Sequence, residues 1–350
     1  MLTTKLGRSD LKVSRICLGT MTWGNHNTEA EGHAQMDLAL DQGVNFWDTA
    51  EMYAIPPTKE TYGTTETIIG TWFAKTGRRN EVILATKISP ELPYIRDNNR
   101  IDKANIIAAV ETSLQRLQTD YIDLYQLHWP TNRSTYHFNN YWTYTPKSTD
   151  KAAIIAQKLE VLETLNDLIQ AGKIRHWGLS NDTSWGITHY CQLAENNGLP
   201  KPISLQNEYS LLRRRDDTEI GETCLLEGIG HIPWSPLGMG ILSGKYLDNQ
   251  WPENTRFTLN PSSQTRYGYR LTPNVHQATK AYVALAKELN IHPCQLAIAF
   301  CLTRPFIASP IIGATNLDQL KINLEAINVT LSQDTLDEID KINAAHPMPF

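Results

Sequence analysis

Short apolar runs, most of them closed by a polar residue, alternate along this chain with longer stretches of helical period. The runs are Ile16-Cys17-Leu18, Asn45 to Asp48, Val82 to Thr86 closed by Lys87, and Tyr121 to Leu127 closed by His128. They continue with Ile174 to Leu179 closed by Ser180-Asn181, then Ile203 to Gln206, His231 to Trp234, and Ile311-Ile312. Short apolar segments of this kind read as strands buried on both faces. The stretches between them carry helix signals. Thr28 with Glu31 three residues on makes a capping box for a helix ending near Gly43. Ile68, Ile69, Trp72 and Phe73 share one face of a helix that stops at Gly77. Asp102 caps a helix carrying Ile106, Ile107, Val110, Leu114 and Leu117. Ile155, Leu159, Leu162, Leu165 and Ile169 form the stripe of a helix from about Ala152 to Gln170. Thr272, with Pro273 at the first helical position, opens one that reaches Leu289. Further helices begin at Pro293, Asn316 and Ser332. Ahead of all this, Thr3 to Val13 reads as a small hairpin with a polar turn.

Eight such strands alternating with helices predict a parallel sheet, and the count suggests closure into a (β/α)8 TIM barrel formed by residues 1–350 as one domain. The competing architecture is an open doubly wound sheet. It would carry G-x-G-x-x-G after a strand, and the nearest stretch, Gly238 to Gly244, has one residue too many. Gly244-Lys245-Tyr246 lacks the Ser or Thr of a P-loop. Two irregular stretches, 131–150 and 238–273, read as long loops over the barrel mouth, where loops of this length are usually functional.

Charge and composition narrow the function. A net charge of -5 argues against a nucleic-acid partner. The basic cluster Arg213-Arg214-Arg215 is followed at once by Asp216 and Asp217. Five cysteines, an odd number without a C-x-x-C pair, give no disulfide framework or metal site. Lys5, Arg8, Asp10, Lys12 and Arg15 interrupt the first twenty residues, and no apolar run is long enough for a membrane span. Cytoplasm is the expected compartment.

The strand ends carry the candidate chemistry. In a parallel barrel they converge on the mouth. Asp48, Lys87 and His128 close successive strands, and Tyr53 follows Asp48 by five residues. A tyrosine with a pKa near ~10 is a poor acid at neutral pH. A neighbouring lysine cation favours the phenolate, and a carboxylate would keep that lysine charged and in place. His128 would share the substrate oxygen or relay its proton. The set reads as a general acid, Tyr53, aimed at a carbonyl oxygen. That is half of a carbonyl reduction; the other half is hydride from a nicotinamide.

These motifs resemble the aldo-keto reductases over nearly the whole chain. The matching residues are Leu18 to Gly24, Asp48 to Tyr53, Ala85-Thr86-Lys87, Asp123 to Pro130, Gly172 to Asn181, Gln206 to Ser210, and Trp234-Ser235-Pro236-Leu237. Glu51 to Pro57, with the spacing to Gly63-Thr64-Thr65-Glu66, is closest to the Tas-like group of bacterial NADP(H)-dependent reductases. The resemblance implies NADP(H) lying across the mouth, with NAD(H) an alternative, and Asp48, Tyr53, Lys87 and His128 as a catalytic tetrad. It implies Ser180, Asn181 and Gln206 at the nicotinamide carboxamide and Trp234 stacked on the ring. Ser235, Pro236, Leu237 and Gly238 would hold the pyrophosphate, with Lys245 and Arg256 nearby. Gly313, Thr315, Gln319 and Asn323 would receive the adenosine end. Gly19, Thr20 and Met21 complete the cofactor set, and Trp23 and Trp129 join Tyr53 and His128 around a small aldehyde or ketone substrate.

Two departures stand out. Ala54 to Thr61 separate Tyr53 from the Tyr62-Gly63 pair, which makes Tyr62 a rival proton donor. Gln319 stands where many members have an arginine for the 2′-phosphate of NADP. Tyr136, Phe138, Tyr141, Trp142 and Tyr144 predict either an aromatic-tolerant pocket or a loop packed on the barrel. A second function class stays open: a redox-sensing protein resembling the potassium channel β subunits, which share this fold and cofactor. The expected state is a monomer or weak oligomer.

Overall fold

The structure, a computed structural model, describes residues 1–90, 92, 95, 101–130, 150–258 and 268–349. The chain opens with an antiparallel hairpin, β1 (Thr3–Lys5) and β2 (Lys12–Ser14). The alternation follows as read: β3 (Cys17–Gly19), α1 (Glu29–Asp41), β4 (Phe46–Asp48), α2 (Thr64–Thr76), β5 (Ile83–Ile88), α3 (Lys103–Leu117) and β6 (Ile122–Leu127). Next come α4 (Lys151–Gln170), β7 (Ile174–Ser180), α5 (Ser184–Asn196), β8 (Ser204–Gln206), α6 (Glu219–Leu226) and β9 (Gly230–His231). The last elements are α7 (Pro273–Glu288), α8 (Pro293–Thr303), β10 (Ile311–Ile312), α9 (Leu317–Glu325) and α10 (Gln333–Ala345).

The eight strands β3 to β10 are all parallel, in the order β10-β3-β4-β5-β6-β7-β8-β9. The two edges meet. The Ala308 amide donates to the His231 carbonyl and the Ile311 amide to that of Pro233, each at 2.8 Å. These bonds close the (β/α)8 barrel.

The helix signals act as the sequence implies. Thr28 Oγ1 accepts from the Glu31 amide, and Glu31 Oε2 takes the Thr28 amide at 2.8 Å. Asp102, Thr272, Asn316 and Ser332 each cap their helix. Inside the barrel, Leu6, Val13, Cys17, Phe46, Ala85, Leu124, Ile203, Ile232, Ala308 and Ile311 form one apolar cluster. Leu6 and Val13 come from the hairpin, which therefore stops the end of the barrel opposite the mouth. Its turn needs Gly7: φ is +55°, and a Cβ would lie 2.3 Å from the Ile203 carbonyl oxygen. The larger cluster fills the layer between strands and helices.

Four readings change. The helices α5 and α6 are not marked by the pattern of runs, although α5 starts at a Thr183 cap and buries Ile187, Tyr190, Cys191 and Ala194 along one face. The stripe on α4 is rotated: Ile154, Val161 and Leu168 are buried, whereas Ile155, Leu159 and Ile169 are half-buried at its rim. The seventh run is a strand only over Gly230–His231, because Pro233 has no amide to donate. The described part of 238–273 is folded into short 3-10 turns at 238–243, 247–249 and 268–270. The aromatic run Tyr136 to Tyr144 lies outside the described residues.

Candidate active site

Strand ends build the site. Asp48 ends β4, Lys87 lies near the end of β5, and His128 follows β6; all three point inward at the same end of the barrel. Lys87 Nζ donates to Asp48 Oδ2 at 2.7 Å and to the Thr49 carbonyl at 2.7 Å. Its third proton faces Tyr53: the ammonium lies 4.9 Å from the ring centroid and bonds the phenol. The Tyr53 ring stands edge-on to His128, with centroids 5.9 Å apart. The three side chains predicted from strand ends and Tyr53 therefore share one buried cluster.

The electrostatics sharpen the roles. Burial alone would discharge Lys87, but Asp48 and Tyr53 outweigh it and hold its pKa above the ordinary value. Burial raises the Tyr53 pKa, and Lys87 opposes this without reversing it. The expected net lowering of Tyr53 is thus corrected: the phenol carries its proton firmly at neutral pH. His128 is pushed well below its ordinary value by burial and then by the Lys87 charge. It is a neutral imidazole at pH 7, a hydrogen-bonding partner rather than a loaded acid.

Tyr62, the rival donor, is half-buried and lies in the field of Arg116. Arg116 pairs with the buried Glu66 at 2.7 Å, and Glu66 also accepts from the Thr86 hydroxyl at 2.5 Å. Tyr62 is therefore associated with the joint between α2 and α3, whereas Tyr53 contacts Lys87.

A residue without a predicted role sits at the centre. Gln126, fully buried in β6, donates to Asp48 Oδ1 at 3.2 Å. Gln206 donates to the same oxygen at 2.8 Å and to Gln126 Oε1 at 3.2 Å. Strand alternation contains the missed signal. It puts Leu124, Gln126 and His128 on one inward face, and an amide there needs partners.

Around this centre the remaining residues fall into place unevenly. Ser180 Oγ donates to the Gln206 carbonyl at 2.8 Å, and Asn181 Nδ2 to the His128 carbonyl at 3.0 Å. The Trp234 indole donates to Asn181 Oδ1 at 3.2 Å. Trp129 is half-buried just beyond His128. Thr20 bonds the Asp48 carbonyl through both its amide and its hydroxyl. Gly19 lies across from Gly313, whose added Cβ would meet only the Gly19 carbonyl, at 3.8 Å. After β9, Pro236 is buried, Leu237 is half-buried, and Ser235, Gly238, Met239 and Gly240 adopt positive φ. Lys245 folds back on Gly240, where an added Cβ would lie 3.2 Å from its ammonium. Arg256 reaches Met21 Sδ at 3.5 Å and, after burial, adds to the lowering of the Lys245 pKa. Gln319 Oε1 accepts from the Thr315 amide and hydroxyl, both at 3.1 Å, and Asn323 Nδ2 donates to the Gly313 carbonyl at 3.3 Å.

Trp23 is the exception. Its indole packs on Gly32 of α1 and donates to Gln35 at 3.3 Å. It faces the helical layer, not the mouth, and leaves the predicted substrate set.

Among the described residues, no group of three His, Cys, Asp or Glu side chains is placed to hold a metal ion, and no helix is long and apolar enough to cross a membrane. The model of the Aldo/keto reductase family matches residues 15–344. Protein tas of Escherichia coli (strain K12) is 42% identical over 352 residues, covering 99% of this chain and 98% of that protein. The uncharacterized oxidoreductase YrpG of Bacillus subtilis is 31% identical, covering 97% of this chain and 95% of that protein. A probable voltage-gated potassium channel subunit beta of Arabidopsis thaliana is 31% identical, over 98% of this chain and 96% of that one.

Proposed function

The chain belongs to the aldo/keto reductase family, and from that premise we propose that it reduces aldehyde or ketone carbonyls to alcohols with NADP(H), using Tyr53 as the general acid. The observation that carries the reading is the buried Asp48–Lys87–Tyr53 cluster beside a neutral His128.

The donor set fits a nicotinamide dinucleotide. Lys245 and Arg256 bring two cations together, and an anion such as a phosphate relieves that repulsion. Trp234 offers a ring face held by Asn181. Gly313 leaves space above its backbone, the nearest atom to an added Cβ being the Gly19 carbonyl oxygen at 3.8 Å. Ser180, Asn181 and Gln206 would meet the carboxamide, the Ser235–Gly238 turn with Lys245 and Arg256 the pyrophosphate, and the Gly313–Asn323 segment the adenosine. When bound, the nicotinamide supplies hydride. The chain's own residues do the rest. Tyr53 and His128 orient the substrate oxygen, and Tyr53 delivers its proton there. Lys87, kept charged by Asp48, stabilises the phenolate left behind.

The deciding assay is NADPH oxidation with 4-nitrobenzaldehyde at neutral pH, with NADH in parallel. Turnover with either coenzyme supports the reading, and the ratio sets the coenzyme preference. The identity to potassium channel β subunits favours one second reading, a coenzyme-bound sensor acting on a protein partner. Tight NADPH binding without turnover across a broad aldehyde panel moves that reading ahead.

A further inference from the structure

The two inward amides have a fixed polarity. A carboxylate only accepts, so the amide nitrogens of Gln126 and Gln206 must both face Asp48 Oδ1. The second hydrogen of the Gln206 amide goes to Gln126 Oε1. Both donors of Gln206 are thus engaged inward, and only its carbonyl oxygen is left for a ligand. Asp48 Oδ2, on the other side of the same carboxylate, holds Lys87 at 2.7 Å. One carboxylate therefore ties the proton-donor cluster to the residue at the expected carboxamide seat, and Gln126 braces both.

Resting on the reductase reading, we infer that Gln126 is a positioning residue that locks Gln206 with its carbonyl toward the coenzyme and fixes the Asp48 carboxylate plane. Gln126 is fully buried and acts through its two neighbours, Asp48 and Gln206. A hydrogen-bonded path then runs from Gln206 through Asp48 to Lys87 and Tyr53. Seating a carboxamide whose NH2 donates to Gln206 tightens the arrangement that holds the general acid. The same path implies that a ring substituent lacking an N–H meets an unpaired carbonyl oxygen, which carries a desolvation cost.

The test compares three ligands by tryptophan fluorescence: NADP+, its 3-acetylpyridine analogue, and 2′-phosphoadenosine diphosphoribose, which has no pyridine ring. The wild type is expected to bind NADP+ about tenfold more tightly than the acetylpyridine analogue, the worth of one hydrogen bond to a preset acceptor. Gln126→Leu is expected to bring the two within about threefold while the ring-less analogue stays within about twofold of wild type. Its kcat falls. A packing role alone would weaken all three ligands alike and leave the analogue ratio in place. Gln126→Met repeats the test if the leucine variant does not fold. An unchanged analogue ratio in a folded variant, or equal binding of NADP+ and the acetylpyridine analogue by wild type, overturns the inference alone. A wild type that binds neither NADP+ nor NAD+ overturns the reductase reading and the inference with it.

Discussion

Lys87 Nζ stands 2.7 Å from Asp48 Oδ2, with both side chains withdrawn from solvent. Two charges buried this way are costly to separate chemically. Asp48→Asn removes the anion and leaves a buried ammonium, which destabilises a fold by roughly 3–5 kcal/mol. Adding Lys87→Met to that variant removes the stranded charge. The double variant is therefore expected to be more stable than Asp48→Asn alone, as read from urea midpoints. Both variants lose activity. A double variant no more stable than the single one would show that the pair is not coupled.

Tyr53 and Tyr62 separate cleanly by environment, and substitution should follow. Tyr53→Phe removes the only phenol in contact with Lys87 among the described residues. Its kcat should drop by ~10²–10⁴, the usual worth of a positioned acid, with coenzyme affinity kept. Tyr62→Phe should stay within about twofold, since its neighbour is Arg116 and not the cluster. The reverse ranking in steady-state assays refutes the placement of the proton donor.

His26 gives a pH dependence with a definite sign. Burial, then the Arg256 charge, lowers its pKa from 6.5 to about 4. The unfolded chain takes up that proton near 6.5 and the folded chain does not. The stability contributed by a neutral His26 is therefore complete above pH 6.5 and is lost as pH falls from 6.5 toward 4. His26→Asn should flatten the loss of Tm between pH 7 and pH 4.5, by an amount equivalent to ~1–2 kcal/mol after allowance for partial solvent exposure. Parallel Tm curves for the two proteins would exclude the assignment.

Gln319 tests how much the adenosine end depends on coenzyme charge. Its side-chain carbonyl holds the Thr315 amide and hydroxyl, and Gln319 itself brings no charge to a 2′-phosphate. Gln319→Ala is expected to weaken NADPH and NADH alike, by about three- to tenfold, because it loosens the loop from Gly313 to Thr315. A loss confined to NADPH would show that Gln319 reads the phosphate directly.

How far the sequence reached depends on what its signals encode. The apolar runs and caps located all eight barrel strands because short buried strands and capped helices have local causes. Asp48, Lys87 and His128 were legible as strand ends, since the barrel sends strand ends to one mouth. What failed was orientation. Trp23 follows Met21 by two residues, yet its indole turns to α1, where Gly32 gives it room and Gln35 accepts its N–H, contacts that lie outside its own stretch of sequence. The Tyr53 shift was read from its charged neighbour alone, whereas burial, a property of the whole fold, is the larger influence. Gln126 was passed over because its partners, Asp48 and Gln206, lie 78 residues before it and 80 after it.

A second buried charge cluster, around Glu208, predicts how Arg270 and the stretch it ends are anchored. Glu208 follows β8 two residues after Gln206. It accepts from Arg213 Nη1 at 2.8 Å and from both terminal nitrogens of Arg270, one of them at 3.0 Å. Arg270 closes the stretch that begins at Gly238 and carries Lys245 and Arg256. Burial works against the Arg270 charge, and Glu208 more than offsets it. Glu208→Gln takes one carboxylate from two buried guanidinium groups, a cost of roughly 3–5 kcal/mol in urea unfolding. The damage should begin locally, because the far end of the stretch loses its anchor before the barrel strands open. Limited proteolysis between 244 and 270 should therefore accelerate well below the global unfolding temperature, and coenzyme binding should weaken several-fold as Lys245 and Arg256 shift. Replacing both arginines as well, as Arg213→Met and Arg270→Met, should recover much of the global stability but not the coenzyme affinity. If Glu208→Gln is cleaved at the wild-type rate, the cluster is a core ion pair with no hold on the loop.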